Sequence, residues 1–169
     1  TNKTLDILVG GPPCQGFSMF GKRRFVNTKN YNPLSDNRNN LIDVFLDYAE
    51  ILKPKWILME NVPGIVSLEN GVFIETIAAR LKQLNYEFDY KIINAADYGV
   101  PQKRKRFILL ANNTGNIIPW PKPKFYKIPN DWEKPYTTVN SVIKDLDSKA
   151  AYKSVSNHRP MKHAKRTSE

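Results

Sequence analysis

The apolar positions of this chain fall into two kinds of run. Leu5, Ile7, Leu8 and Val9 are almost unbroken and stop at Gly10-Gly11-Pro12-Pro13. That is the pattern of a buried strand delivering its next residues to a sheet edge. With Asn39 or Asn40 as cap, Leu41, Val44, Phe45, Tyr48, Ile51 and Leu52 then recur at helical spacing until Pro54, predicting an amphipathic helix. Trp56 to Met59 reads as a second buried strand, ending at Glu60. Strand, helix and strand in that order imply a right-handed parallel crossover, so both strands end on the same side of a sheet.

Phe73, Ile74, Ile77, Ala78, Leu81 and Leu84 predict a second helix over Gly71 to Leu84. Two further strands, Glu87 to Asn94 and Arg106 to Ala111, flank the turn-rich ADYGVPQ, a spacing that suits an antiparallel pair at the sheet's side. From Ile118 to Pro135 the prolines Pro119, Pro121, Pro123, Pro129 and Pro135 argue against regular structure. Thr138 to Leu146 fits one short helix, and a basic, polar stretch runs from there to Glu169. The expected organisation is an α/β part over residues 1–112 and a Pro-rich, basic extension over 113–169.

Composition narrows the function classes. The chain has 169 residues, 41% hydrophobic and 25% charged, an ordinary composition for a domain with a real core. No apolar run approaches the roughly 20 residues of a membrane span, and the first residues lack the order of a signal peptide, so a cytoplasmic protein is expected. One cysteine allows no internal disulfide, and with only two histidines beside it no zinc set is expected. The net charge is +10, and residues 101–169 carry 15 Lys and Arg against 5 Asp and Glu, while residues 1–100 are balanced. The bias suits a polyanionic partner, or equally a solvated basic end.

Candidate chemistry gathers where the first strand ends. A lone cysteine is commonly a small buried hydrophobe. Cys14, however, follows a strand end made rigid by Pro12 and Pro13, with Gln15 and Gly16 leaving room for a ligand and Ser18 offering a hydroxyl. Residues Gln15 to Asn37 show little periodicity and carry Lys22, Arg23, Arg24 and Lys29, the profile of a functional lid with Gly16 and Gly21 as hinges. Glu60 follows the neighbouring strand, and Arg104 and Arg106, alternating with Lys103 and Lys105, share one face of the last strand. A basic edge strand that resists aggregation would explain those arginines equally well.

The string GGPPCQGFS resembles the nucleophile motif of the DNA (cytosine-5)-methyltransferases. Downstream, Glu60-Asn61-Val62 is similar to that family's Glu-Asn-Val, and Gln102, Arg104 and Arg106 to its Gln-x-Arg-x-Arg. The resemblance runs from about Leu5 to about His158. It implies a Rossmann-like class I methyltransferase sheet, mixed, with the antiparallel pair at one side and present here as a partial domain. It also implies Cys14 as nucleophile, Glu60 as the carboxyl group at cytosine nitrogen 3, and Arg104 as the base contact, with Gln102, Arg106 and Asn61 supporting.

The same resemblance implies S-adenosyl-L-methionine as methyl donor, with Pro13 and Leu41 at positions that touch it. Double-stranded DNA is the implied substrate, its target base extruded, with Gln15, Ser18, Lys22, Arg23 and Arg24 on the nucleic acid. No glycine-rich strand–turn–helix precedes Leu5 and no target-reading region follows Asn157-His158. The expectation is therefore the catalytic middle of a methyltransferase of restriction–modification type, with further segments or a second chain completing the cofactor and target-recognition parts. Alone, it is expected neither to bind the cofactor tightly nor to methylate DNA, and to leave one apolar side of its sheet uncovered. The tRNA-methylating branch of the same family and a non-catalytic nucleic-acid-binding fragment or subunit are the alternatives.

Overall fold

The structure is a computed structural model that describes residues 4–13, 40–67, 71–147 and 156. Strand β1 (Ile7–Gly10) leads, through residues of which 14–39 lie outside this description, to helix α1 (Asn40–Leu52) and strand β2 (Trp56–Asn61). A short 3-10 turn at Pro63–Val66 and helix α2 (Val72–Gln83) precede strands β3 (Glu87–Asn94) and β4 (Lys105–Asn112). The four strands lie in the order β1-β2-β4-β3, with β1 parallel to β2 and the other pairs antiparallel. Both expected pairings are present, and β4 sits inside the sheet between β2 and β3.

One face of the sheet forms the core. Ile57 and Met59 of β2 and Phe107, Leu109 and Ala111 of β4 alternate inward, meeting Ile42, Phe45, Leu46 and Ala49 of α1 and Ile74, Ile77 and Leu81 of α2. Arg80 ties the two helices by donating to Asp47 (2.9 Å) and Glu50 (2.8 Å), and the hydrogen bond to Asp47 holds its guanidinium above the ordinary value. Helix α2 ends in a Schellman turn. Asn85 takes a positive φ of 62°, its N–H donates to the Lys82 carbonyl (3.0 Å), and the Tyr86 N–H donates to that of Leu81 (2.9 Å).

Two sequence expectations are corrected. The residues read as the buried stripe of α1 are, apart from Phe45, the exposed ones: Leu41, Val44, Tyr48, Ile51 and Leu52 face outward, Ile51 at 74% exposure. Helix α1 is apolar around most of its circumference, so periodicity alone does not choose the face. Phe45 belongs to both stripes, and a Cβ at Gly10 would lie 2.5 Å from its ring, so glycine lets the helix approach β1 closely. Strand β1 is also not buried on both faces: among the described residues it is an edge, and Ile7 and Val9 point away from the helices, Val9 at 59% exposure.

Contacts divide the chain into two compact units, residues 1–95 with 104–122, and residues 96–103 with 123–169. In the first, the chain beyond β4 returns to the sheet, where Trp120 donates its indole N–H to Asp89 (2.6 Å) and lies under the Lys91 ammonium, 4.9 Å from the ring centroid. In the second, strands β5 (Phe125–Tyr126) and β6 (Lys134–Pro135) form a minimal parallel ladder within the Pro-rich stretch expected to be irregular. Helix α3 (Val139–Ile143) follows, capped by the Thr138 hydroxyl accepting from the Ser141 N–H. Among the described residues no helix is long and apolar enough to cross a membrane.

Candidate functional site

At the end of β2 the chain places a charge pair and a buried amide side by side. Glu60 lies opposite Ile108 in the β2–β4 register, which puts Arg106 diagonally across on the same face. The Arg106 guanidinium Nε donates to Glu60 Oε1 at 2.7 Å, with the side chains 22% and 43% exposed respectively. This is a charge-assisted hydrogen bond at the rim of the sheet, still open to solvent. The same guanidinium donates from Nη1 to the Lys105 carbonyl at 2.8 Å, which limits its freedom to swing away.

The turn after β1 comes close to this carboxylate. A Cβ at Gly11 would sit 3.2 Å from Glu60 Oε2, so the glycine keeps the turn and the acid in near contact. Asn61 fixes the turn from beneath. Its side chain is buried, with Nδ2 donating to the Pro12 carbonyl (3.1 Å) and Oδ1 accepting from the Val62 N–H (2.8 Å). Pro12 and Pro13 have no N–H to offer a neighbouring strand, so this side-chain bridge does what ladder hydrogen bonds would otherwise do. The signal was present in the sequence. Ile57, Met59 and Asn61 alternate onto the core face, and an asparagine there must find partners.

Sequence reasoning gave Arg104 the leading role and Arg106 a supporting one. In the structure it is Arg106 that holds Glu60, whereas Arg104, exposed at the start of β4, has no ion-pair partner among the described residues. The Arg104 carbonyl accepts from the Ala95 N–H (3.0 Å), closing the β3–β4 hairpin at this end. Gln102 belongs to the second unit, where it is exposed and its backbone N–H donates to the Val100 carbonyl (2.7 Å). Pro13 is exposed beyond β1, and Leu41, in the first turn of α1, is 39% exposed. Cys14, Gln15, Ser18, Lys22, Arg23 and Arg24 lie outside the described residues.

The apolar hollow between α1 and α2, of about 230 Å³ and lined by Ile42, Leu46, Val72, Phe73 and Ile77, contains none of these residues. The chemistry lies at the strand ends. A carboxylate steered by a guanidinium, beside a glycine-proline turn and close in sequence to an arginine without an ion-pair partner among the described residues, can accept or donate a proton at a planar polar ligand and counter its developing charge.

The comparisons with known proteins bear on the family of the chain. The chain is 32% identical over 167 residues to the Type II methyltransferase M1.HphI of Haemophilus parahaemolyticus, covering 96% of this chain and 41% of that protein. It is 38% identical over 124 residues to the Type II methyltransferase M.XorII of Xanthomonas oryzae, covering 72% and 27%. Among solved structures, an E. coli prophage protein assigned as a DNA modification methyltransferase superposes with a TM-score of 0.58 at 25% identity, covering 84% of this chain and 35% of that one. The chain thus spans less than half the length of these relatives. The family model for C-5 cytosine-specific DNA methylase matches residues 1–169, its whole length, and the chain belongs to that family.

Proposed function

We propose that this chain supplies the nucleophile and the base-activating groups of a DNA cytosine-5 methyltransferase of restriction–modification type. The observation that carries the proposal is the close approach of the Gly11 turn to the Glu60 carboxylate, itself held by Arg106. Cys14 follows that turn by three residues. The family match and the names of the relatives favour DNA over tRNA as substrate.

Cytosine carbon 5 is a weak nucleophile until a thiolate adds to carbon 6. In this reading Cys14 forms that bond, and the Glu60 carboxyl group, having taken up a proton from solvent, passes it to nitrogen 3 as charge develops on the ring, accepts from the exocyclic amine, and takes the proton back when Cys14 leaves. Arg106 keeps the carboxyl group aimed, and Arg104 remains available for the carbonyl oxygen of the base or a flanking phosphate. Elimination of Cys14, with loss of the proton on carbon 5 to a base, restores the aromatic ring. The target atom is inaccessible in a stacked duplex, so the base must be extruded, with Gln15, Ser18, Lys22, Arg23 and Arg24 as contacts in the segment after Cys14.

S-adenosylmethionine, when bound, supplies an electrophilic methyl group. Pro13 and Leu41 fit it as an apolar wall, since both present exposed apolar side chains, one beyond β1 and the other in the first turn of α1. The open edge of β1, with Ile7, Val9 and the outer stripe of α1, suits further strand and helix units from the same or another polypeptide.

The test is covalent trapping in the methyltransferase that contains this chain, using DNA with 5-fluorocytosine at the target and S-adenosylmethionine present. Fluorine cannot leave as a proton, so the adduct accumulates on the wild type and is abolished by Cys14→Ser. Equal trapping by the serine variant removes Cys14 from the mechanism.

A further inference from the structure

Within the second unit, the β5–β6 ladder closes a loop from Lys127 to Glu133 that is ordered yet turns two large apolar side chains outward. Phe125 pairs with Lys134 and Tyr126 with Pro135, and the Tyr136 N–H donates to the Tyr126 carbonyl (3.1 Å). Inside the loop the Asn130 side chain accepts from the Trp132 N–H (3.0 Å), and the Glu133 carboxylate accepts from the Asn130 N–H (3.1 Å). Despite this bracing, Trp132 is 94% and Ile128 85% exposed. Burying either would stabilise the fold, so the structure forgoes that gain at a pre-organised site.

We infer that this loop is a second DNA contact, with Trp132 stacking on a nucleobase or wedging beside one, and Lys124, Lys127 and Lys134 meeting the flanking phosphates. Lys124, Lys127 and Lys134 flank the loop in sequence, the Lys134 ammonium over the Phe125 ring (6.0 Å), and of its two acids Glu133 is engaged by the backbone of Asn130. Isolated aromatic and aliphatic tips among lysines suit a ligand with π-faces and a negative backbone. A protein partner would instead call for a contiguous apolar patch. The inference rests on DNA being the substrate, and it places a contact outside the strand-end site.

The experiment is a titration of the 169-residue chain with duplex and single-stranded oligonucleotides, followed by tryptophan emission and repeated at several salt concentrations. The expected result is quenching that Trp132→Ala abolishes, with affinity lowered by about 5- to 100-fold and an unchanged salt slope. Joint substitution of Lys127 and Lys134 by alanine should make the slope of log K against log salt shallower by about 1–2. Wild-type affinity in Trp132→Ala, or no DNA binding by the chain at low salt, overturns the inference. So does self-association that Trp132→Ala abolishes while DNA affinity stays constant, which would assign the loop to a second copy. Cys14 trapping separates the two readings. Quenching by Trp132 without any adduct upholds the loop and defeats the catalytic proposal, and an adduct with Trp132 silent does the reverse.

Discussion

Strands β2 and β4 carry polar side chains at both ends, and the two ends are built differently. At the end near Trp56 the buried groups are neutral and satisfy one another: the Tyr86 hydroxyl and the Asn113 amide both donate to the Pro54 carbonyl, while the Lys55–Asp6 ion pair (2.7 Å) lies exposed at the surface. There the buried Asn112 accepts from the N–H and hydroxyl of Thr114 and donates to the Asn116 carbonyl. At the end near Asn61 the buried amide is equally satisfied, but above it Glu60 and Arg106 form a partly exposed ion pair, and Arg104 stands without an ion-pair partner among the described residues. Neutral, closed networks favour stability, whereas an exposed ion pair contributes at most about 1 kcal/mol. The contrast teaches that the charges at the second end are not there to hold the sheet together.

The largest effect expected is therefore at Glu60. Glu60→Gln should lower methyl transfer by a factor on the order of 10²–10⁴ while DNA affinity and the unfolding midpoint stay near wild type. Rate and affinity falling together would make Glu60 a binding residue, and loss of stability would erase the contrast between the ends. Asn61 sharpens the comparison because it belongs to both categories. Asn61→Ala leaves the Pro12 carbonyl without its donor and should destabilise by about 1–3 kcal/mol, with a loss of rate in excess of the loss of folded protein. Asn61→Asp keeps the acceptor for Val62 but not the donor to Pro12, and it should resemble alanine if the link to the turn is what matters. Thermal unfolding beside initial rates under saturating substrate separates these cases.

Much of this arrangement was legible in the residues. The parallel β1–β2 pair followed from two apolar runs bracketing a helix, and the inward positions of α2 from the spacing of Ile74, Ile77 and Leu81. The antiparallel β3–β4 pair followed from one short turn between two strand patterns. What the residues did not disclose depended on partners distant in sequence. Two apolar stripes compete on α1, and packing into the common core settles on Ile42, Leu46 and Ala49 rather than on Leu41, Val44 and Tyr48. The choice of Arg106 over Arg104 as the partner of Glu60 was likewise hidden, since alternation puts both on one face and only the β2–β4 register says which lies within reach. The Cys14 segment and the residues beyond 147, except Ser156, fall outside the described residues, so the expected lid and basic end stand as sequence readings.

The smallest effect expected lies at the opposite end, and it is the control on the whole comparison. Tyr86 is buried against α1 and α2, and its hydroxyl donates to Pro54 at 2.5 Å. Tyr86→Phe keeps the ring and removes one neutral hydrogen bond, so it should cost about 1 kcal/mol and leave the methylation rate of the folded protein unchanged. Burial pushes the Tyr86 hydroxyl above its ordinary value of 10.0, because the phenolate is disfavoured there. A raised value in the folded state means that this contribution is complete below the unfolded value and is lost as pH rises through it toward the folded one. Denaturation midpoints of wild type and Tyr86→Phe should accordingly differ at neutral pH and draw together in the alkaline range. A parallel pair of curves would show that the hydroxyl titrates alike in both states, and a lower methylation rate in the phenylalanine variant would show that the two ends of the sheet are coupled rather than divided between stability and chemistry.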